Sequence, residues 1–327
     1  MNICFVDTTK LAYSFKDIND QKIRGSETSI INLSKKISEL GNNVTVFNNT
    51  KFESKSKNYA WMNLNRVKYY RDSFDIIISN NDNHVLSKFN SNKKYVLSHS
   101  ILTIEKAFRK RQLFSYFTNK PKYILLGNYH QKEMSKLFSL YGSFILNYAV
   151  DDIFNCPLGK FNIDNNLAFF TSRQDRNLDL LIDIWRDGVF KFRNESRLLI
   201  TPISLDLSKY NIFNRKMLNK SEYIDEIKKS RMIILPGHKA ELSCIAAMEA
   251  SELNLPIVTM GIGSLSERVE HGITGLISKN KTDFIRNIIE LYQNNILWND
   301  IKFNLQKRRG QNTWFDAAKN LIKILKN

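Results

Sequence analysis

Two acidic residues, Glu241 and Glu249, stand with seven residues between them in the segment LPGHKAELSCIAAMEASELNLPIVTMGIGSLSERVEHGITGL, residues 235 to 276. An apolar strand ending at Pro236 precedes the pair and the strand PIVTM follows it. A carboxylate in the loop entering a helix, and another one to two turns inside, can grip one ligand with the helix amides between them. The spacing alone also fits a loop carboxylate plus a solvated helical one. Arg173 and Arg176 sit in TSRQDRNLDLLIDIW, directly after an apolar strand and before a helix. In α/β proteins ligands lie at such carboxyl ends of strands. Two guanidinium groups there keep their charge near neutral pH and can clamp a diphosphate through paired charge-assisted hydrogen bonds. Surface pairing with Asp175 and Asp179 is the competing reading.

Further candidates lie in the front half. Gly25-Ser26-Glu27 opens a helix after a strand and a loop, a place where N–H groups and the helix dipole favour an anion. An ordinary capped helix start, with Ser26 as the cap, has the same look. His99 ends KYVLSH and His130 follows KYILLG. A histidine at a strand end can hydrogen-bond a substrate hydroxyl, although most are satisfied structurally. Residues 106 to 122, KAFRKRQLFSYFTNKPK, interleave Lys106, Arg109, Lys110 and Arg111 with Phe108, Leu113, Phe114, Tyr116 and Phe117. The first expectation is a domain helix with its aromatic side facing the core. An interfacial helix on an anionic bilayer is the second, and single-stranded nucleic acid is also compatible.

The elements that position these residues follow from periodicity. ICFVD, then RGSETSIINLSKKISELGNNVTVF, reads as strand, helix and strand, because Ile30, Leu33, Ile37 and Leu40 recur at helical spacing and Gly41 stands where the helix stops. FDIIIS, KYVLSH and KYILLG are nearly continuous apolar runs, as expected for strands covered on both faces of a parallel sheet. After ILNYAVDDIF the alternation restarts with LAFFTS, LDLLIDIW, RLLITPI, EYIDEIKKS and RMIILPG. The chain has 327 residues, more than one hydrophobic core usually serves, so two domains are expected. They are read as 1–150 and 151–309, with the boundary near Asp151 to Lys160. A closing amphipathic helix, 310–327, carries Trp314, Ala317, Leu321 and Leu325 on neighbouring faces.

Net charge is +17, of which the first 150 residues carry +12. A field of that sign attracts nucleic acid, anionic lipid or phosphorylated small molecules without choosing among them. Cys4, Cys156 and Cys244 are scattered and odd in number, which argues against a disulfide framework or structural zinc. No apolar run reaches membrane-span length, and MNICFV reads as a strand instead of a leader, so a cytoplasmic location is expected. There is no Asp-x-Asp pair and no His/Cys/carboxylate cluster with metal-ligand spacing, hence no metal site and no cofactor is expected. A Walker loop, a Gly-x-Ser-x-Gly elbow and a Gly-x-Gly-x-x-Gly after the first strand are also missing from the sequence, which argues against NTPase, hydrolase and dehydrogenase classes.

The order of pieces from the Pro-Gly turn through Glu241, the small-residue helix, Leu-Pro, the apolar strand, Glu267 and His271-Gly272-Ile273-Thr274-Gly275 resembles the nucleotide-sugar half of glycosyltransferase family 4. The resemblance is strongest from Asn147 to Ser278. It implies an α/β chain of GT-B architecture: two Rossmann-like domains facing across a cleft, the C-terminal helix crossing back to the first. It implies retaining transfer from a UDP- or GDP-sugar to a hydroxyl of a glycan or lipid-linked acceptor, in surface polysaccharide or glycolipid assembly, without metal. The enzyme would work in the cytoplasm, at the inner face of the membrane, with peripheral contact to anionic lipid and no nucleic acid partner.

Residue by residue, the resemblance brings Glu241 to the donor sugar and Glu249 to the ribose hydroxyls. Arg173 and Arg176 hold the diphosphate, His99 approaches the sugar, and Gly25-Ser26-Glu27 closes over the diphosphate. Leu242, Ser243, Cys244 and Ile245 line the donor where the family carries glycines. Family members place an Arg and a Lys in a longer loop where this chain has two arginines, and a Gly where Tyr148 stands in Asn147-Tyr148-Ala149-Val150-Asp151. Two other classes fit parts of the pattern. A sugar-nucleotide 2-epimerase of the same architecture would alter a donor without an acceptor, and a basic nucleic-acid-binding protein would ignore sugars and lose binding steeply with salt.

Overall fold

The computed structural model describes residues 1–19, 23, 25–159, 162–216 and 218–326. Two compact units emerge, Met1–Tyr148 together with Thr313–Asn327, and Ala149–Asn312. Lys160, one end of the expected boundary, and Asn327 lie outside the described residues.

The first unit is built on β1 (Asn2–Val6), β2 (Asn43–Asn48), β3 (Ser54–Lys55), β4 (Tyr59–Asn63), β5 (Ile76–Asn80), β6 (Lys93–Leu97), β7 (Lys122–Leu125) and β8 (Ser143–Ile145). Their order across the sheet is β3-β4-β2-β1-β5-β6-β7-β8, parallel throughout except for the two-residue β3. Every residue of β5 is buried, as its unbroken apolar run requires of a strand covered on both faces. The helix Gly25–Glu39 buries Ile30, Leu33 and Ile37, and Gly41 ends it at φ +84°, the left-handed conformation that glycine adopts at little cost. Ser26 lies inside this helix and does not cap it: the first turn begins one residue earlier, at Gly25. The closing helix Trp314–Lys326 buries Trp314, Ala317, Ala318, Leu321 and Leu325, and Lys93 Nζ donates to its Leu325 carbonyl at 3.3 Å. That seats the C-terminus in the first unit.

The basic aromatic stretch departs from the single helix expected of it. It forms two short helices, Ile104–Arg109 and Leu113–Asn119, separated by Arg111 at φ +55°. Ala107 and Tyr116 turn into the core, whereas Phe108, Phe114 and Phe117 are exposed. Three of the four rings thus face outward and Tyr116 alone among them meets the core, against the core-facing aromatic side expected.

The second unit contains β9 (Asp164–Phe169), β10 (Arg197–Ile200), β11 (Ile212–Asn214), β12 (Ser230–Gly237), β13 (Ile257–Ile262) and β14 (Gly275–Ile277). All are parallel, in the order β11-β10-β9-β12-β13-β14. The chain builds outward from β9 to β11, then returns to β12 on the other side of β9. The β9/β12 pair is therefore the topological switch point, where the loops diverge and leave a crevice beyond the strand ends. The helices Lys220–Ile227, Ile245–Glu252, Lys281–Gln293 and Asn295–Arg308 belong to this unit. Asn219 and Glu222 close the first of them with a reciprocal capping box. Among the described residues no helix is long and apolar enough to cross a membrane.

Candidate functional site

The loops after β9 and β12 meet at the switch point of the second unit. Ser172, just past β9, donates from Oγ to Glu241 Oε1 at 2.9 Å. Glu241 is buried, and burial raises its pKa above the ordinary carboxylate value, opposed by the Ser172 bond and the charge of Arg176. Asn177, itself left-handed at φ +62°, ties the β9 loop to β12 by donating to the Gly237 carbonyl at 2.5 Å. The Glu241 loop is pinned from the other side by Gly263, at φ +74°. A Cβ there would stand 2.4 Å from the His238 carbonyl oxygen and 3.0 Å from that of Glu241. Ser264 N donates to that Glu241 carbonyl at 2.9 Å. Only glycine permits this approach, so Gly263 sets the backbone of the loop that carries the carboxylate.

The two arginines lie in the same β9 loop. Arg173 is exposed and forks onto Asp175, Nε to Oδ1 at 2.9 Å, while the largely buried Arg176 reaches Asp175 Oδ2 from Nη1 at 2.8 Å. Asp175 is held between the two guanidinium groups, and their hydrogen bonds lower its pKa. The competing surface-pair reading is thus realised for Asp175. It coexists with the electrostatic influence of both arginines on Glu241.

Glu249 lies on the helix Ile245–Glu252 and in different surroundings. Burial first, and Asp151 second, push its carboxyl up to about 8, against the opposing charges of Lys220 and Arg215. Lys220 forms an ion pair with Asp151, and the Arg215 guanidinium lies 5.2 Å over the ring of Tyr223. The two glutamates therefore answer to separate sets of cations.

The residues between them enter the helix in an unexpected way. Cys244, its N-cap, holds φ +42° and ψ +69°, the left-handed conformation that costs a side-chain-bearing residue on the order of 1–2 kcal/mol. Among the described residues no side chain caps that helix. Leu242 and Ser243 are buried and Ile245 half-buried. Arg268 Nε donates to the Ser243 carbonyl at 3.0 Å, which brings a third guanidinium to this end.

In the first unit the candidates are engaged with one another. His99 has Nδ1 2.9 Å from Asn80 Oδ1, so the proton belongs on Nδ1, and Nε2 accepts from the Tyr148 hydroxyl at 2.6 Å with Ser29 Oγ at 3.2 Å. Burial depresses the ring to about 3, with the neighbouring His130 adding to the shift, and keeps it neutral. His130 is fully buried, held between the Leu126 amide and the Ser100 carbonyl, and pushed down to about 4 by burial. Gly25 and Ser26 are half-buried in the first helical turn. Glu27 is buried there and accepts from Ser26 Oγ at 2.8 Å, so the positive helix end already faces a carboxylate of its own.

Residues 209–313 match the family model described as "Glycosyl transferases group 1". The chain has a GT-B fold, and its matched segment is similar to the group 1 glycosyltransferases. Among solved structures, HepE of Anabaena in complex with UDP shares 13% identity, covers 100% of each chain and superimposes with a TM-score of 0.72. WaaG, described as a glycosyltransferase involved in lipopolysaccharide biosynthesis, shares 11% identity over 99% of each chain at a TM-score of 0.67. A variant of S. aureus TarM, in complex with fondaparinux, α-GlcNAc-glycerol and UDP, shares 17% identity, covering 80% of this chain and 58% of its own, at a TM-score of 0.62. No curated protein matches. The glycosyltransferase recognition and the two-sheet α/β fold read from the sequence both stand.

Reasoning from sequence missed Ser172, Arg215, Tyr223 and Arg268. Ser172 adjoins Arg173 in the strand-end loop and was within reach of the same argument. Arg215 follows the three-residue β11 in irregular chain, where periodicity carries no signal.

Proposed function

We propose that this glycosyltransferase moves a sugar from a nucleotide-diphosphate sugar to an acceptor hydroxyl with retention of anomeric configuration and without a metal ion. The observation that carries the reading is the grouping of Ser172, Arg173, Arg176 and Glu241 at the β9/β12 switch point of the unit that holds the matched segment. In this reading the arginines hold the diphosphate and stabilise the charge that develops as it leaves. The departing phosphate takes the acceptor proton on the face it leaves, while Glu241 steadies the sugar. Glu249, its carboxyl raised to about 8 by burial, meets the ribose hydroxyls as a neutral acid that both accepts and donates. Leu242, Ser243, Cys244 and Ile245 supply backbone along the donor. His99 enters as a neutral ring that has to leave Tyr148 before it can serve a sugar.

A UDP-sugar is the proposed donor, supported by the UDP named in the HepE and TarM complexes. The proposed acceptor is a glycan or lipid-linked glycan of the cell surface, met at the cytoplasmic face of the membrane, in keeping with the lipopolysaccharide role named for WaaG. The test is a thermal-shift series with UDP, GDP and their sugars, because a ligand that binds only the folded chain raises its apparent stability. It is followed by incubation of the stabilising donor with and without acceptor glycans, the product anomer being read by NMR. A retained anomer, formed only with acceptor, is expected. An altered donor sugar formed without acceptor would identify an epimerase, and an inverted anomer would remove the same-face mechanism.

A further inference from the structure

We propose that the outward face of the helices Ile104–Arg109 and Leu113–Asn119 is a docking surface for an anionic lipid bilayer. This gives a physical surface to the membrane contact of the preceding reading and does not depend on the donor chemistry. The helices already have an inner side: Ala107 and Tyr116 are buried in the core of the first unit, with Leu113 packed against it. Tyr116 also donates to the Leu137 carbonyl at 2.7 Å and stacks edge-on with Phe138 at 5.2 Å. Four large apolar side chains are left over on the other side, Ile104 at 50% exposure among them. Phe108 is 75% exposed, Phe114 80% and Phe117 44%. Phe114 and Phe117, three positions apart, share one face of their helix.

Charge selects the occupant. Arg109, Lys110 and Arg111 lie between the phenylalanines and are exposed, and the only acid of residues 104 to 120 is Glu105, whose carboxylate is 4.0 Å from Arg109 Nη1. The left-handed Arg111 breaks the chain between the helices, so that the cations sit at the junction between Phe108 and Phe114. An apolar surface seeking burial beside a cluster of cations matches the two layers of an anionic membrane surface, acyl chains under phosphate headgroups. A protein partner would have to bring aromatic pockets and acids together. The bilayer supplies both without shape matching, and exposed phenylalanines enter it with no buried polar atom left unsatisfied.

The experiment is flotation of the full chain with vesicles of phosphatidylcholine alone and of phosphatidylcholine with phosphatidylglycerol in equal parts, at low and high salt. Binding to the anionic vesicles, weakened by salt, is expected. Arg109→Glu with Lys110→Glu and Arg111→Glu should lower vesicle partitioning by a factor on the order of a hundred, at roughly fivefold per basic residue. Phe108→Ser with Phe114→Ser should abolish the part of binding that survives high salt. Both positions are exposed, so unchanged circular dichroism and melting are expected, and nucleotide-dependent thermal shifts should persist in every variant. Equal binding of the variants and the parent would overturn the proposal. So would affinity for a single-stranded oligonucleotide with none for vesicles, the signature of base stacking on these rings. No sugar substrate enters the assay, so a negative result here leaves the transferase reading standing.

Discussion

His99 and Glu241 occupy comparable places, each in the loop beyond a parallel strand of its own unit, yet burial acts on them with opposite sign. The histidine is depressed to about 3 and stays neutral, with Asn80 and Tyr148 engaging both ring nitrogens. The carboxyl of Glu241 is raised, and that of Glu249 goes up to about 8, because desolvation outweighs the cations nearby. In the first unit His99, Asn80, Tyr148 and Ser29 pair with one another, leaving only Asn80 Nδ2 of that group unpartnered among the described residues, and Asp7 accepts from the Tyr13 hydroxyl at 2.7 Å. In the second, acids and guanidinium groups are gathered at the strand ends under electrostatic tension. A ligand carrying hydroxyls and a diphosphate would relieve that tension, whereas the first unit offers its chemistry on an outer face.

The most severe way to break this comparison is Arg176→Ala. Loss of one group that stabilises developing charge should lower turnover by a factor on the order of ten to a thousand. Steady-state rates on a folded variant decide the matter, and unchanged turnover removes the diphosphate clamp. Glu249→Ala should weaken UDP binding about fivefold to tenfold, as expected for losing one hydrogen bond of about 1 kcal/mol. Calorimetric titration showing unaltered affinity would reassign Glu249 to structure.

Gly263→Ala tests the scaffold. The clash with the His238 carbonyl and the positive φ should cost on the order of 2 kcal/mol in denaturant unfolding, and turnover should fall as the Glu241 loop shifts. Full activity in that variant would show that the loop does not need its backbone where it stands.

The mildest test follows from the pKa signs. Glu249 is raised from 4.5 to about 8, so its contribution to stability is present below pH 4.5 and lost as pH rises through 8. His99 is lowered from 6.5 to about 3, so its contribution is present above pH 6.5 and lost as pH falls toward 3. Glu249→Gln should flatten the alkaline limb of the stability profile and His99→Asn the acid limb. Each change is at most one proton's worth, about 1.4 kcal/mol per pH unit. Denaturant melts across pH would expose a crossed or absent effect.

The sheets could be read from sequence because parallel strands buried on both faces leave unbroken apolar runs, such as IIIS in β5 and MIIL in β12. Glu241, Arg173 and Arg176 were legible for a related reason: strand ends are marked by where such runs stop. Partners across the fold were not. Tyr148 reaches Ser29 from 119 positions away, and no local pattern announces that its hydroxyl would engage His99. The break at Arg111 and the helix entry at Cys244 use left-handed backbone at residues other than glycine, which carries no sequence signature. Phe108, Phe114 and Phe117 were visible as a group, but which side of their helices met the core depended on Tyr116 and Ala107 packing first.

The rings of Tyr148 and Trp314 lie 5.3 Å apart. The polypeptide leaves the first unit and re-enters it at this one spot, its departing and returning ends gripped by the same aromatic pair. A protease that nicked the segment just after Tyr148 would leave the fragments 1–148 and 149–327 without a covalent link, held together by the burial of the terminal helix in the first unit. A second cut, between residues 312 and 313, would release residues 149–312 and leave the terminal helix seated on the amino-terminal fragment by burial alone.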